Sequence, residues 1–78
     1  MNYDQILTNA FKNADYKIIH KNYGYEASIR FICAVRCHHF SFDKKKELIE
    51  NLKNIPTDVL NAQLAKGLNG EEILKQYN

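Results

Sequence analysis

The run Tyr25 to His39, YEASIRFICAVRCHH, constrains the fold more than any other part of the chain, because apolar residues alternate along it. Ile29, Phe31, Cys33, Val35 and Cys37 fall on one parity, and Ser28, Arg30, Arg36 and His38 on the other. Successive side chains of a strand point to opposite faces, so the pattern predicts a half-buried central β-strand with an inner row of branched, aromatic and sulfur side chains. The competing reading makes Glu26 to Phe40 a helix, with Ile29, Ile32, Cys33 and Arg36 on one side. The strand is preferred for its regular alternation and its β-branched and aromatic content.

Tyr16 to Lys21, YKIIHK, is short, β-branched and aromatic, and Asn22-Tyr23-Gly24 after it supplies the residues of a tight turn. The two runs pair as an antiparallel hairpin. A lone hairpin is marginal in water, so helices must cover its apolar face. Before it, Tyr3, Ile6, Leu7, Ala10, Phe11 and Ala14 recur at helical spacing, with Asn2 as N-cap, Asp4 in the first turn and an end near Asp15.

After it, Ser41 and Asp43 cap a helix through Asn54 that buries Leu48, Ile49, Leu52 and Ile55 and leaves Lys44, Lys45, Lys46, Glu47, Glu50 and Lys53 in water. Three lysines at its start oppose the macrodipole. Pro56 ends it. Thr57 to Lys66 then forms a short helix closed by Gly67 in the left-handed conformation, with Leu68 packing back. Asn69 and Glu72 form a capping box for a last helix carrying Ile73, Leu74 and Tyr77. The predicted fold is therefore α+β: an N-terminal helix, an antiparallel β-hairpin, and three short C-terminal helices packed on the sheet.

At 78 residues this is a single domain, 1–78, that buries only about 60% of the surface its unfolded chain exposes. The longest apolar run falls far short of the roughly 20 residues that span a bilayer, so no membrane partner is expected. An acid stands where a secretory signal carries its basic region, which together with the small number of cysteines predicts a cytoplasmic protein. On one strand Cys33 and Cys37 would stand about 13 Å apart, too far for a disulfide, and are read as buried free thiols.

Cys33, Cys37, His38 and His39 make a C-x3-C-H-H cluster, which His20 on the paired strand could join. The spacing matches no standard structural zinc pattern, so no metal and no cofactor is assigned. Carboxylates are scattered, the three glycines lie at turns and caps rather than in a phosphate loop, and no third group orients a Cys–His pair. The chain is therefore expected not to be an enzyme. Its net charge of +2 neither compels nor excludes nucleic acid.

The polar face of the hairpin is the candidate partner-binding surface. Tyr23, Tyr25, Arg30, Arg36 and His38, with the neighbouring Lys44, Lys45 and Lys46, mix aromatics with bases, which suits an acidic protein surface or a nucleic-acid backbone. A free hairpin edge leaves a homodimer open through edge pairing.

Residues Ile55 to Tyr77, IPTDVLNAQLAKGLNGEEILKQY, resemble the helix-turn-helix segment of a family of small antitoxin-type proteins, with the pattern I-P-x3-L-x3-L-A-x-G-L-x2-E-E-I-L-x2-Y. The resemblance implies two packed helices and, in that family's context, DNA binding. Glu71 and Glu72 put negative charge on the end of the recognition helix that meets DNA. A motif-free single domain rich in Asn, Lys and Ile also resembles in kind the small inhibitors of phages and mobile elements, including the anti-CRISPR type. The leading expectation is thus a small non-enzymatic protein that occludes a larger host protein or nucleoprotein complex. A small DNA-binding regulator or antitoxin is the alternative.

Overall fold

The computed structural model describes residues 2–77, and these contain six α-helices and no strand. The α+β reading is overturned, and with it the hairpin and the edge-pairing route to a homodimer. The stretch read as the central strand is helix α3 (Tyr25–Val35), and the strand expected before it is helix α2 (Tyr16–Tyr23).

The physical reason lies in where α3 sits. It packs against α2, against α4 (Phe42–Leu52), against α5 (Thr57–Ala65) and against α6 (Gly70–Gln76). Every residue from Ala27 to Val35 is buried or half-buried. A helix enclosed on most sides has no polar face with which to display a period of 3.6 residues. The apparent alternation came from a few polar residues on one parity, while Ile32 and Ala34 on that same parity also pack inward. Ser28 is buried without penalty because its hydroxyl donates to the Tyr25 carbonyl at 2.6 Å.

In α2 the β-branched pair Ile18-Ile19 suggested a strand, but Asp15 accepts from the Ile18 N–H at 3.4 Å and starts a helix. Asn22 closes the same turn by donating its amide to the Ile18 carbonyl at 2.8 Å. Asn22 and Tyr23, expected in a tight turn, belong to α2, and only Gly24, whose φ is +96°, breaks the chain between the two helices. Gly24 ends α2 by donating its N–H to the His20 carbonyl at 2.9 Å and begins α3 by accepting from the Ser28 N–H at 3.2 Å.

The other helices follow local capping chemistry. Helix α1 (Tyr3–Asn13) opens with a capping box: the Asn2 side chain accepts from the Gln5 N–H at 2.9 Å, and Gln5 accepts from the Asn2 N–H at 3.3 Å. Ser41 caps α4 through the Lys44 N–H. At the end of α5 the Gly67 N–H reaches Leu64 at 2.9 Å and the Leu68 N–H reaches Gln63 at 3.2 Å, a Schellman motif with Gly67 at φ +88°. Asn69 and Glu72 form the reciprocal box that opens α6.

The core gathers round α3. Phe11 stacks on Phe31 at 5.2 Å between ring centroids and on Phe42 at 5.8 Å. Leu7, Ile19, Leu52, Leu60 and Ile73 are fully enclosed around them. No helix among the described residues is long and apolar enough to cross a membrane.

Candidate interaction surface

The aromatic residues divide by type. All four phenylalanines, Phe11, Phe31, Phe40 and Phe42, are buried or half-buried, whereas all five tyrosines are exposed. Each tyrosine stands at a helix terminus: Tyr3, Tyr16 and Tyr25 are first residues, Tyr23 is a last residue and Tyr77 is a C-cap. Helix ends lie at the margin of so small a body, where an aromatic ring can rest its face on neighbours and keep its hydroxyl wet. Tyr3 was expected on a buried stripe and instead stays about half exposed.

Three tyrosines cluster about the α2–α3 corner. Tyr3 meets Tyr23 edge to face, with centroids 4.9 Å apart and planes at 81°. Across Gly24, the Tyr25 hydroxyl accepts from the Asn61 amide at 2.6 Å, and its ring lies edge-on to His20. Beside the first pair, Arg30 and Lys53 line a cavity of about 190 Å³ with an apolar floor. Burial first, and then the Glu50 carboxylate, push the Tyr3 phenol above its ordinary value, against the opposing pull of Lys53 and Arg30. Tyr3 and Lys53 were missed as site residues because sequence spacing assigned one to the core and the other to open solvent.

The five residues expected on the hairpin face and the three lysines expected beside them are not brought together. Tyr23 and Arg30 share the cavity, whereas Tyr25 turns to His20 and Asn61 and does not line it. Arg36 is occupied elsewhere, its Nη1 donating to the carbonyls of Leu64 at 2.9 Å and Leu68 at 3.2 Å, so it pins the end of α5 to α3. His38 is exposed in the α3–α4 connection. The three lysines of α4 part company. Lys44 is exposed and lies 5.9 Å from the Phe40 ring centroid. Lys46 pairs with Asp4 at 2.8 Å. Lys45, expected in water, is only 8% exposed, with its ammonium 5.6 Å from the centroids of both Phe11 and Phe42. The unfavourable charge at the start of α4 is thus offset by ring faces and by one carboxylate.

The cysteine–histidine cluster also comes apart. Cys33 and Cys37 are fully buried free thiols, one helical turn apart rather than the span of an extended strand. The Cys37 thiol donates to the Cys33 carbonyl at 3.7 Å. Burial pushes Cys33 up to about 11, and burial raises Cys37 as well against the backbone N–H groups of Glu71 and Gly70. Such thiols are poor nucleophiles. His39 faces outward, 3.3 Å from Glu71. Among the described residues no three His, Cys, Asp or Glu side chains are grouped to hold a metal ion.

In the segment with the antitoxin-like pattern, α5 packs on α3, and α6 packs on α3 and α4. Gly70, the first residue of α6, is buried against Cys33 and Leu48. Comparison of the chain with protein-family models, curated proteins and solved structures finds no match.

Proposed function

We propose that this protein is a non-enzymatic binding protein that acts by stoichiometric occlusion of a larger protein, in the manner of the small phage and mobile-element inhibitors that include the anti-CRISPR type. The observation that carries this reading is the sorting of aromatics, with every phenylalanine turned inward and every tyrosine outward. Tyrosine and arginine are the residue types that dominate interface energetics, and Tyr3, Tyr23 and Arg30 line one cavity. An ordinary interface takes about 800 Å² from each partner, about one sixth of the 4792 Å² this chain exposes. The positive charge of Arg30 favours an acidic patch on the partner.

A DNA-reading role for α5 and α6 has less support. A recognition helix offers its N-terminal residues to the major groove, and here those residues are Gly70, packed on α3, and the acidic pair Glu71 and Glu72.

The test is affinity purification from the native host after nuclease treatment, using the wild type and the double variant Tyr3→Ser/Tyr23→Ser. The wild type should retain one host protein in stoichiometric amount. The variant, with an unchanged circular dichroism spectrum, should bind at least about tenfold more weakly, a loss of about 1.4 kcal/mol. Equal retention by both would reject this face. Recovery of a defined DNA operator in an untreated extract would favour the regulator instead.

A further inference from the structure

We infer that the cavity between Tyr3, Tyr23, Arg30 and Lys53 is a receptor for a single carboxylate carried on a small apolar group. The inference rests on the state of Arg30 and stands whether or not the occlusion reading does. Of the two cations at the cavity, Lys53 is already neutralised by Glu50 at 2.8 Å. Arg30 is not: among the described residues no carboxylate lies within the 4.0 Å of an ion pair. Its Nε is buried without a hydrogen-bond partner. A half-buried guanidinium has lost part of its hydration and gained no counter-charge, which is unfavourable until an anion arrives.

The chemistry of the walls selects the anion. A guanidinium offers a planar fork of N–H donors that matches a carboxylate two oxygens at a time. One uncompensated positive charge balances one negative charge, whereas a phosphate monoester brings between about 1.5 and 2. The floor of Leu7, Ile19 and Phe31 has no side-chain donors for further oxygens and suits an apolar body. The volume, about 190 Å³, lies below the roughly 300 Å³ at which sites for drug-sized ligands begin, so the body must be small. Tyr3, whose phenol is protonated at neutral pH as any tyrosine's is, lines the same cavity and brings a second donor type to it.

A carboxylate of this kind reaches the cavity as a free small acid or as an acidic side chain of a protein, and separate probes distinguish the two. The full chain, isotope-labelled for amide resonances, is titrated with sodium benzoate, with the blocked amino acid N-acetylglutamate amide, and with inorganic phosphate. Saturable shifts of Tyr3, Ala27, Arg30 and Ile49 are expected with a carboxylate probe, with affinity reduced at least tenfold in Arg30→Gln and several-fold in Arg30→Lys, which keeps the charge and loses the fork. Tighter binding of benzoate assigns the site to free acids, and tighter binding of the blocked glutamate assigns it to protein side chains. Absence of saturation with both carboxylates, shifts retained in full by Arg30→Gln, or stronger binding of phosphate would each overturn the inference. Should Arg30→Gln lose its dispersed spectrum, Arg30→Lys decides alone, and undiminished affinity there overturns it. Carboxylate binding without partner capture would sink only the occlusion reading, and the reverse result only this one.

Discussion

A β-carbon placed on Gly70 would stand 3.1 Å from the carbonyl oxygen of Cys33, so the first turn of α6 rests on the backbone of α3. The same atom would meet Leu48 Cδ2 at 2.8 Å. Leu48 can yield a little, but the carbonyl belongs to a helix held on several sides. Gly70→Ala is therefore expected to destabilise the fold by about 1–2 kcal/mol, overpacking outweighing the better helix propensity of alanine. Urea unfolding should show a lower midpoint at an unchanged slope. A variant as stable as the wild type would mean that α6 can move away from α3 without loss.

The buried thiols predict a loss of stability in alkali. An unfolded cysteine releases its proton near its ordinary value of 9.0, whereas folded Cys33 keeps it until about 11. Between those values the folded state binds more protons than the unfolded one, so stability falls as pH rises through the window and is fully present below it. The urea midpoint of the wild type should drop more steeply from about pH 9 to pH 11 than that of Cys33→Ala. Parallel declines would show that Cys33 does not contribute.

Neighbouring lysines should behave differently. Lys45→Ala removes a stem packed in the core and a cation held over two rings, at an expected cost of about 1–3 kcal/mol. Lys44→Ala should change stability by no more than about 0.5 kcal/mol. In a domain of this size each kcal/mol moves the melting temperature by about 4–8 °C, so a thermal scan separates the two variants. Equal shifts would contradict the burial of Lys45.

Arg36 joins α3 to the end of α5 through two carbonyls, and hydrogen bonds from a charged donor contribute about 1.5–3 kcal/mol. Arg36→Ala should loosen that end first. Amide exchange is expected to accelerate at Gly67 and Leu68 while the α1 amides keep their protection. Uniform acceleration along the chain would point to global destabilisation instead.

What the sequence reveals about this fold is mainly what is decided locally. The caps at Asn2, Ser41 and Asn69 and the left-handed Gly67 depend on residues within five positions of one another, and each is readable without the rest of the molecule. The middle was misread because burial of α3 on most sides is a tertiary fact that erases the helical period. Ile32 and Ala34, apolar on the supposedly wet parity, were the signal against a strand, and Asp15 was the missed start signal of α2. At the site, Tyr23 and Arg30 were legible by type. That Arg36 would be consumed by carbonyls and Lys45 by rings was not, since both depend on segments distant in sequence.

The sorting of aromatics also makes the molecule its own probe. With no tryptophan, its near-ultraviolet emission comes from five phenols that all stand at the boundary with water. Their light should change little when the helices melt and far more when another molecule settles over Tyr3 and Tyr23. An intrinsic signal that usually reports folding would here report company.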